Sequence, residues 1–435
     1  MNPSRCRSYL QDLQRFGIKL GLENISAVLS SFHDPQRSFP SVHVAGTNGK
    51  GSVCAMLAEI LSRHGLKVGL YTSPHLAKVE ERIRVGGRLI PLKDFCRLAG
   101  VVKGRVERLL AQGKLAAPPS FFEVLTVIAF LYFRERGVDI AVLETGIGGR
   151  FDATNVVTPL VSVITNISRD HQEHLGTTLK QIAFEKAGII KPGVPVVSGV
   201  ERGDAFRVIR ARAVEEKAPL FFPYGGDGRL TVEKRRWRYV FCFRRGGETF
   251  RFSPGLRGEH QGTNAGVAIT AAGVLGRTWR PLEKKKIIEG VERAEWPGRL
   301  ETLSRNPLVI LDGAHNEAGA AALKKYIEDF CLRPPVVVFA MMKDKAVKRF
   351  ASLVFPLARE VILTSMPYPR AATPAEALGL VRPFGRKFAI EPSLKKAVAL
   401  ARTVAGRRGT VLITGSLFLV GEAKKQKLGL AAKTV

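Results

Sequence analysis

Residues 45–52 read Ala-Gly-Thr-Asn-Gly-Lys-Gly-Ser. The apolar run Val42-His43-Val44-Ala45 precedes them, and a helical run from Val53 to Leu61 follows. Strand, glycine-rich turn and helix in that order form the repeating unit of a parallel α/β sheet. Consecutive backbone N–H groups in such a turn point at one oxyanion, and the helix start adds favourable potential. Lys50 places a full positive charge beside the cradle. The phosphate-loop pattern asks for Gly, four residues, Gly-Lys and then Ser or Thr. Here Val44 stands at the first glycine position, and the hydroxyl comes one residue late, at Ser52. Gly46, Gly49, Gly51, Lys50 and Ser52 still supply what a polyphosphate needs.

A chain of 435 residues exceeds one ordinary core, so two or three domains are expected. No apolar run is long enough for a bilayer, and Met1-Asn2-Pro3-Ser4-Arg5 is followed by no apolar leader segment. A cytoplasmic location without a membrane partner is the expectation. The five cysteines are scattered without metal-ligand spacing, and Cys54 reads as a small hydrophobe inside the first helix. Sixty-eight basic residues stand against 38 acidic ones, a net charge of +30. Nucleic acid would suit that charge. The basic residues are spread along the chain rather than gathered in one stripe, which points away from it. A small polyanion such as ATP or a carboxylate-rich substrate is the alternative use of the field.

From residue 41 apolar strands alternate with amphipathic helices. Strands are expected at 68–71, 139–143, 160–165 and 194–198, with a long apolar helix over 121–133. Near-continuous apolar strands are those of a doubly wound sheet covered on both faces. Residues 220–256 change character, and Arg244-Arg245-Gly246-Gly247 reads as a hairpin turn in a small antiparallel excursion. Trp296-Pro297-Gly298 reads as a hinge. A second α/β unit follows, with strands at 308–311, 336–339, 361–364 and 411–414 and a helix over 317–330. Basic residues from Lys424 suggest a frayed helix end. Domains of 1–295 and 299–435, with the ligand cleft at the strand C-termini, are the expected organisation.

Polar groups collect at those strand ends. Glu144, before a glycine-rich turn, can hold Mg²⁺ near a triphosphate. Ser73, after strand 68–71, lies within reach of the same ion. Asp170 and His171 follow strand 160–165. A zinc site built on His171 and His174 has neither a cysteine nor a third histidine nearby, so a magnesium or substrate role suits His171 better and a structural one His174. Lys186, on a largely apolar helix, reads as a counterion, a modified residue or a snorkelling lysine. In the second unit, Asp312 can accept from ribose hydroxyls and His315 can approach phosphates, while Arg299 can clamp ATP from behind the hinge.

These segments together resemble the folylpolyglutamate synthase and dihydrofolate synthase family of the Mur ligase superfamily. The resemblance rests on Gly46 to Ser52, Thr72-Ser73-Pro74-His75-Leu76, Glu144 to Asn155, Asp170-His171, Glu185 to Ile189, His260-Gln261 with Asn264, Gly298-Arg299, Asp312 to Asn316 and Gly415 to Gly421. It implies a two-domain α/β fold: an N-terminal P-loop-type mononucleotide-binding domain and a smaller C-terminal Rossmann-like one. It implies an ATP- and Mg²⁺-dependent ligase that joins L-glutamate to dihydropteroate or reduced folates through an acyl phosphate. Catalytic roles fall on Lys50, Lys186, His171 and Glu144. Nucleotide contacts fall on Thr47, Asn48, Gly49, Lys50, Gly51, Ser52, Asn264, Arg299, Asp312 and His315. Ser52, Ser73, Glu144 and His171 match the metal positions, and Lys186 matches a lysine that is carbamylated. Phe121, Phe122, Arg150, Asp152 and Thr154 are the substrate candidates. Small molecules are the implied partners, nucleic acid is not, and a monomer is expected. Arg169 stands where an apolar residue is common, and Met342-Lys343-Asp344-Lys345 keeps part of a family motif. The competing readings are another Mur-type amino-acid ligase and a nucleic-acid-binding ATPase. The former usually carries an extra N-terminal domain, for which a cradle starting at residue 46 leaves no room.

Overall fold

The computed structural model describes residues 1–14, 17, 21–343 and 347–428. Eight strands build the first sheet: β1 (Ser41–Ala45), β2 (Val68–Tyr71), β3 (Ile83–Val85), β4 (Arg88–Leu89), β5 (Ile140–Glu144), β6 (Val161–Ile164), β7 (Val196–Ser198) and β8 (Leu220–Phe221). Their order is β4-β3-β2-β5-β1-β6-β7-β8, parallel except where β3 and β4 join. β1, β5 and β6 are buried throughout, as their apolar runs require. Helices Pro3–Gln14, Glu23–Ser30, Leu92–Ala111 and Phe121–Arg136 cover one face. Helices Lys50–Arg63, His260–Thr278 and Lys284–Arg293 cover the other.

The strand order sets the chemistry. β1 lies between β5 and β6, with Val44 beside Glu144 and Ala45 beside Ile164. The loop leaving β1 therefore sits between the ends of β5 and β6, at a point where the winding reverses. Glu144 is the last residue of β5, one position beyond the expected end at 143.

The expected excursion is a three-stranded antiparallel sheet of β9 (Arg229–Arg235), β10 (Arg238–Arg245) and β11 (Glu248–Phe252). Gly246 and Gly247, both at positive φ, make its second turn. Trp237 belongs to the first turn rather than to a strand. A second parallel sheet follows: β12 (Glu301–Arg305), β13 (Leu308–Asp312), β14 (Val336–Phe339), β15 (Glu360–Leu363), β16 (Phe388–Ile390) and β17 (Thr410–Thr414). Its order is β12-β13-β17-β14-β15-β16, with β12 antiparallel. The last helix is Leu417–Lys425, and the expected fraying beyond residue 428 lies outside the described residues. No described helix is long and apolar enough to cross a membrane.

Candidate active site

The turn after β1 divides into two parts. Its first half is fastened to the loop after β6: Thr47 N–H donates to the Asn166 carbonyl at 2.9 Å, and Asn48 N–H donates to Asn166 Oδ1 at 2.9 Å. Asn166 Nδ2 and Thr165 Oγ1 donate back to the Asn48 carbonyl at 2.9 and 2.6 Å. The whole turn was expected to converge on one anion, but the amides of Thr47 and Asn48 are engaged. The anion donors left are the N–H groups at the helix start, from Gly49 to Ser52. Three close approaches require the glycines. A Cβ would fall 1.9 Å from Thr165 Oγ1 at Gly46, 2.4 Å from Asn264 Oδ1 at Gly49 and 2.7 Å from Trp296 Nε1 at Gly51. Lys50 Nζ donates to the carbonyls of Gly46 and Thr47 at 3.0 and 3.2 Å.

Three cavities meet here. The first, of about 320 Å³, is lined by Asn48, Gly49, Ser52, His260, Gln261, Asn264, Arg299, Asp312, His315 and the small residues Ala318, Gly319 and Ala322. The second, of about 520 Å³, has aromatic walls from Phe121, Phe122, Phe151 and Phe418, with Arg82 and Arg370. A small central cavity, of about 110 Å³, joins them and is lined by the turn, Ser73, Glu144, Asp170, His171, Lys186 and Arg299. His315 borders all three cavities, and His171 and Ser73 border the central and aromatic ones.

The four metal candidates, Ser52, Ser73, Glu144 and His171, all line the central cavity. Glu144 is buried, and its Oε2 accepts from the Ser73 N–H at 3.0 Å. Burial pushes its carboxyl upward, opposed by Lys50 and by that hydrogen bond. A buried carboxylate beside hydroxyls fits a hard divalent cation, whose charge would reverse the desolvation cost. Among the described residues no group of three or more His, Cys, Asp or Glu forms a cage, so phosphate oxygens and water would complete such a shell. Lys186 is buried, and its Nζ donates to the Gly46 carbonyl at 2.8 Å. Burial, then the Lys50 charge, lowers its pKa to about 7.

The second unit closes the first cavity. Asp312 is buried, and its oxygens accept from the N–H groups of Leu300 (3.0 Å) and Ala314 (2.9 Å). It therefore fixes the chain beside Arg299 as well as lining the cavity. His315 Nδ1 pairs with the Gly313 carbonyl at 2.8 Å, and its Nε2 lies 3.7 Å from Asp170 Oδ2. Asn316 Nδ2 bridges to Asn48 Oδ1 at 3.0 Å and Asp170 Oδ2 at 3.3 Å.

The substrate candidates separate. Phe121 and Phe122 line the aromatic cavity; Phe122 stacks on Tyr71 at 5.7 Å, and Arg82 lies 5.3 Å over Phe121. Asp152 lines it too, but both its oxygens are occupied. Oδ2 accepts from the N–H groups of Gly146 and Ile147, and Oδ1 from the Thr154 N–H and hydroxyl. Thr154 is fully buried, and His43 Nε2 meets its hydroxyl at 2.7 Å. Arg150 pairs with Glu185 at 2.7 Å and lies over the rings of Phe151 and Phe184. Neither Arg150 nor Thr154 lines any of the three cavities. Because their polar atoms are engaged in the turn and on the neighbouring helix, they shape the site from behind. His174 lies near Glu173 and lines none of the cavities, and Arg169 is exposed. Asp344 and Lys345 lie outside the described residues.

Sequence reasoning left Asn166, Gln261, His260, Arg82 and Asn316 without roles. Gln261 Nε2 lies 3.4 Å from Ser52 Oγ, and its Oε1 accepts from Asn264 Nδ2 at 2.9 Å. Burial and Arg299 hold the His260 imidazole down at about 4, so it is neutral. The His260-Gln261 pair beside Asn264 was the available signal, whereas nothing marks Asn166 except its place after a strand.

The Mur ligase middle domain matches residues 44–272, and the Mur ligase glutamate ligase domain matches residues 298–417. Dihydrofolate synthase/folylpolyglutamate synthase of Bacillus subtilis is 34% identical over 424 residues, covering 97% of this chain and 98% of that one. Folylpolyglutamate synthase of Lacticaseibacillus casei is 34% identical over 435 residues, 99% of each chain. The structure of Mycobacterium tuberculosis folylpolyglutamate synthase complexed with ADP and AMPPCP superposes with a TM-score of 0.89 at 31% identity, covering 99% of this chain and 100% of that one. Fold and matches together define a two-domain, ATP-utilising ligase of the Mur type. Within that superfamily the chain belongs to the folylpolyglutamate synthase and dihydrofolate synthase family.

Proposed function

We propose that this protein adds L-glutamate to dihydropteroate, to the γ-carboxylate of reduced folates, or to both, at the expense of ATP. The observation that carries the reading is the cavity arrangement. A small charged chamber holding Lys50, Glu144 and Lys186 opens on one side to a glycine- and amide-lined cavity and on the other to an aromatic one. ATP lies in the first with its triphosphate at the helix start, and the ring system of the acyl donor lies against Phe121 and Phe122. The donor carboxylate oxygen attacks the γ-phosphorus, and ADP leaves. The glutamate amine then attacks the acyl carbon, phosphate leaves with that oxygen, and the amine proton is lost to solvent or a neighbouring base. A carboxylate is a poor acyl donor because its oxygen leaves badly; phosphorylation corrects this. Lys50 stabilises charge developing on the transferred oxygens, and Arg299 approaches from the second domain. Ser52, Ser73, Glu144 and His171 would hold Mg²⁺, which supplies Lewis-acid stabilisation of phosphoryl oxygens when bound.

Lys186 is the carbamylation candidate. An amine held near neutrality has the free lone pair that CO₂ requires, and the carbamate would turn a buried cation into an anion facing the metal positions. The domains run over 1–295 and 299–435, with Trp296-Pro297-Gly298 between them. A cytoplasmic monomer without a nucleic-acid partner completes the reading.

The deciding experiment measures ADP release with Mg²⁺, ATP and glutamate, with dihydropteroate and tetrahydrofolate in separate reactions and products identified by mass. Turnover with one or both assigns the activity, while the lack of an amide product from either would overturn it.

A further inference from the structure

A fourth cavity, of about 330 Å³, shares no lining residue with the other three. It lies where the antiparallel sheet and the segment Ser253–Gly258 face the far end of helix Glu317–Phe330. Its walls include Tyr239 and Phe330, which meet edge to face at 4.9 Å, and Tyr326. Trp237 stands at the mouth and is 62% exposed.

Two guanidinium groups border this aromatic surface. Arg238 is exposed, and its guanidinium has no hydrogen-bond or ion-pair partner among the described residues. Arg257 donates to Thr302 Oγ1 and pairs with no carboxylate among the described residues. Glu292 is the one acid on the wall, and its Oε1 accepts from the Ser253 N–H at 3.0 Å. Two cations and one anion leave a single net positive charge. Aromatic faces beside an unpaired guanidinium recognise a flat ring carrying an anionic group. The volume matches that of the nucleotide cavity, which gives room for two fused rings.

Both elements that build the fourth cavity continue into the nucleotide cavity. Helix Glu317–Phe330 lends Ala318, Gly319 and Ala322 to the nucleotide side and Tyr326 and Phe330 to the other. Ser253–Gly258 runs directly into His260 and Gln261, and a Cβ at Gly258 would fall 2.5 Å from the His260 ring, so no slack separates the two.

We propose that the fourth cavity is a second ligand site for a planar aromatic monoanion, coupled to nucleotide binding through these shared elements. Such coupling is reciprocal: whatever the monoanion does to nucleotide affinity, nucleotide does to the monoanion's. The monoanion's charge could be a carboxylate or a phosphodiester.

The test titrates the full chain with 8-anilinonaphthalene-1-sulfonate by fluorescence, with AMPPCP and dihydropteroate saturating the ligase cavities. One equivalent is expected to bind, and Arg238→Glu to weaken it by about tenfold or more, as loss of a charge-assisted contact does. Trp237→Ala, at the exposed turn before Arg238, should weaken it independently, and both variants should keep basal ligation. In wild type the probe should change AMPPCP affinity, measured without dihydropteroate, and in Arg238→Glu it should not. Competition by 4-aminobenzoate or by cyclic AMP would support the site and name the source of the charge. Binding abolished by filling the ligase cavities, indifference to Arg238→Glu, or displacement by neither competitor would overturn the site. Unchanged AMPPCP affinity would overturn the coupling.

Discussion

Two lysines share one carbonyl: Lys50 Nζ and Lys186 Nζ both donate to the Gly46 oxygen. Lys50 can leave that carbonyl for a phosphate. Lys50→Ala should lower kcat by about a hundredfold or more with little change in unfolding midpoint, since an electrostatic contact to transferred charge is lost. Near-normal turnover would remove its assigned role. Lys186 has a different constraint. Its folded pKa of about 7 lies below its ordinary 10.5, so between those values the unfolded chain binds more protons. Its contribution to unfolding free energy should therefore rise with pH across that window, and the full burial cost should remain below pH 7. Urea unfolding of wild type and Lys186→Met at several pH values checks this; parallel curves would refute it. Lys186→Ala should lose turnover and regain part of it with small carboxylates if carbamylation operates. Placement was legible where chemistry is scarce: Lys50, Glu144 and Lys186, far apart in the chain, line one central cavity. It was not legible at Arg150 and Thr154, which line none of the three cavities, because a motif marks position along the chain and cannot reveal that an ion pair or a buried hydroxyl engages the polar atoms.

Elements buried on both faces were readable, and those at edges were not. β1, β5, β6, β13, β14 and β17 are largely apolar runs and lie within a residue or two of expectation. β12, Glu-Thr-Leu-Ser-Arg, is a half-buried edge strand, and β16 has three residues. Neither carries a period long enough to detect. Helix Phe121–Arg136, expected from its apolar run, starts at a Ser120–Glu123 capping box, in which Ser120 Oγ accepts from Glu123 N–H and Glu123 Oε2 accepts from Ser120 N–H. That box sets the first turn, where Phe121 and Phe122 face the aromatic cavity. Ser120→Ala should cost about 1 kcal/mol in chemical denaturation. It should also raise KM for the pteroate or folate substrate while leaving that for ATP near its original value. An equal rise in both would place the effect elsewhere.

At the scale of the whole molecule, Asn316 ties the second domain to Asn48 in the cradle and to Asp170. Asn316→Ala should raise KM for ATP by about three- to tenfold, the range for a lost interdomain hydrogen bond. It should also enlarge the radius of gyration of the ATP-analogue complex in small-angle scattering; an unchanged radius would mean that other contacts hold the domains together. The net charge of +30 calls for a direct test as well. Adding DNA or RNA should leave ATP turnover unstimulated, and stimulation that falls steeply with salt would reopen the nucleic-acid reading. The clasp of Asn166 and Thr165 on residues 47 and 48 bears on how nucleotide binds. Because that half of the turn is held by the protein's own bonds, little chain entropy remains to be lost there when a triphosphate arrives. The cradle works as a mould, set by Asn166 and Thr165 before its ligand arrives.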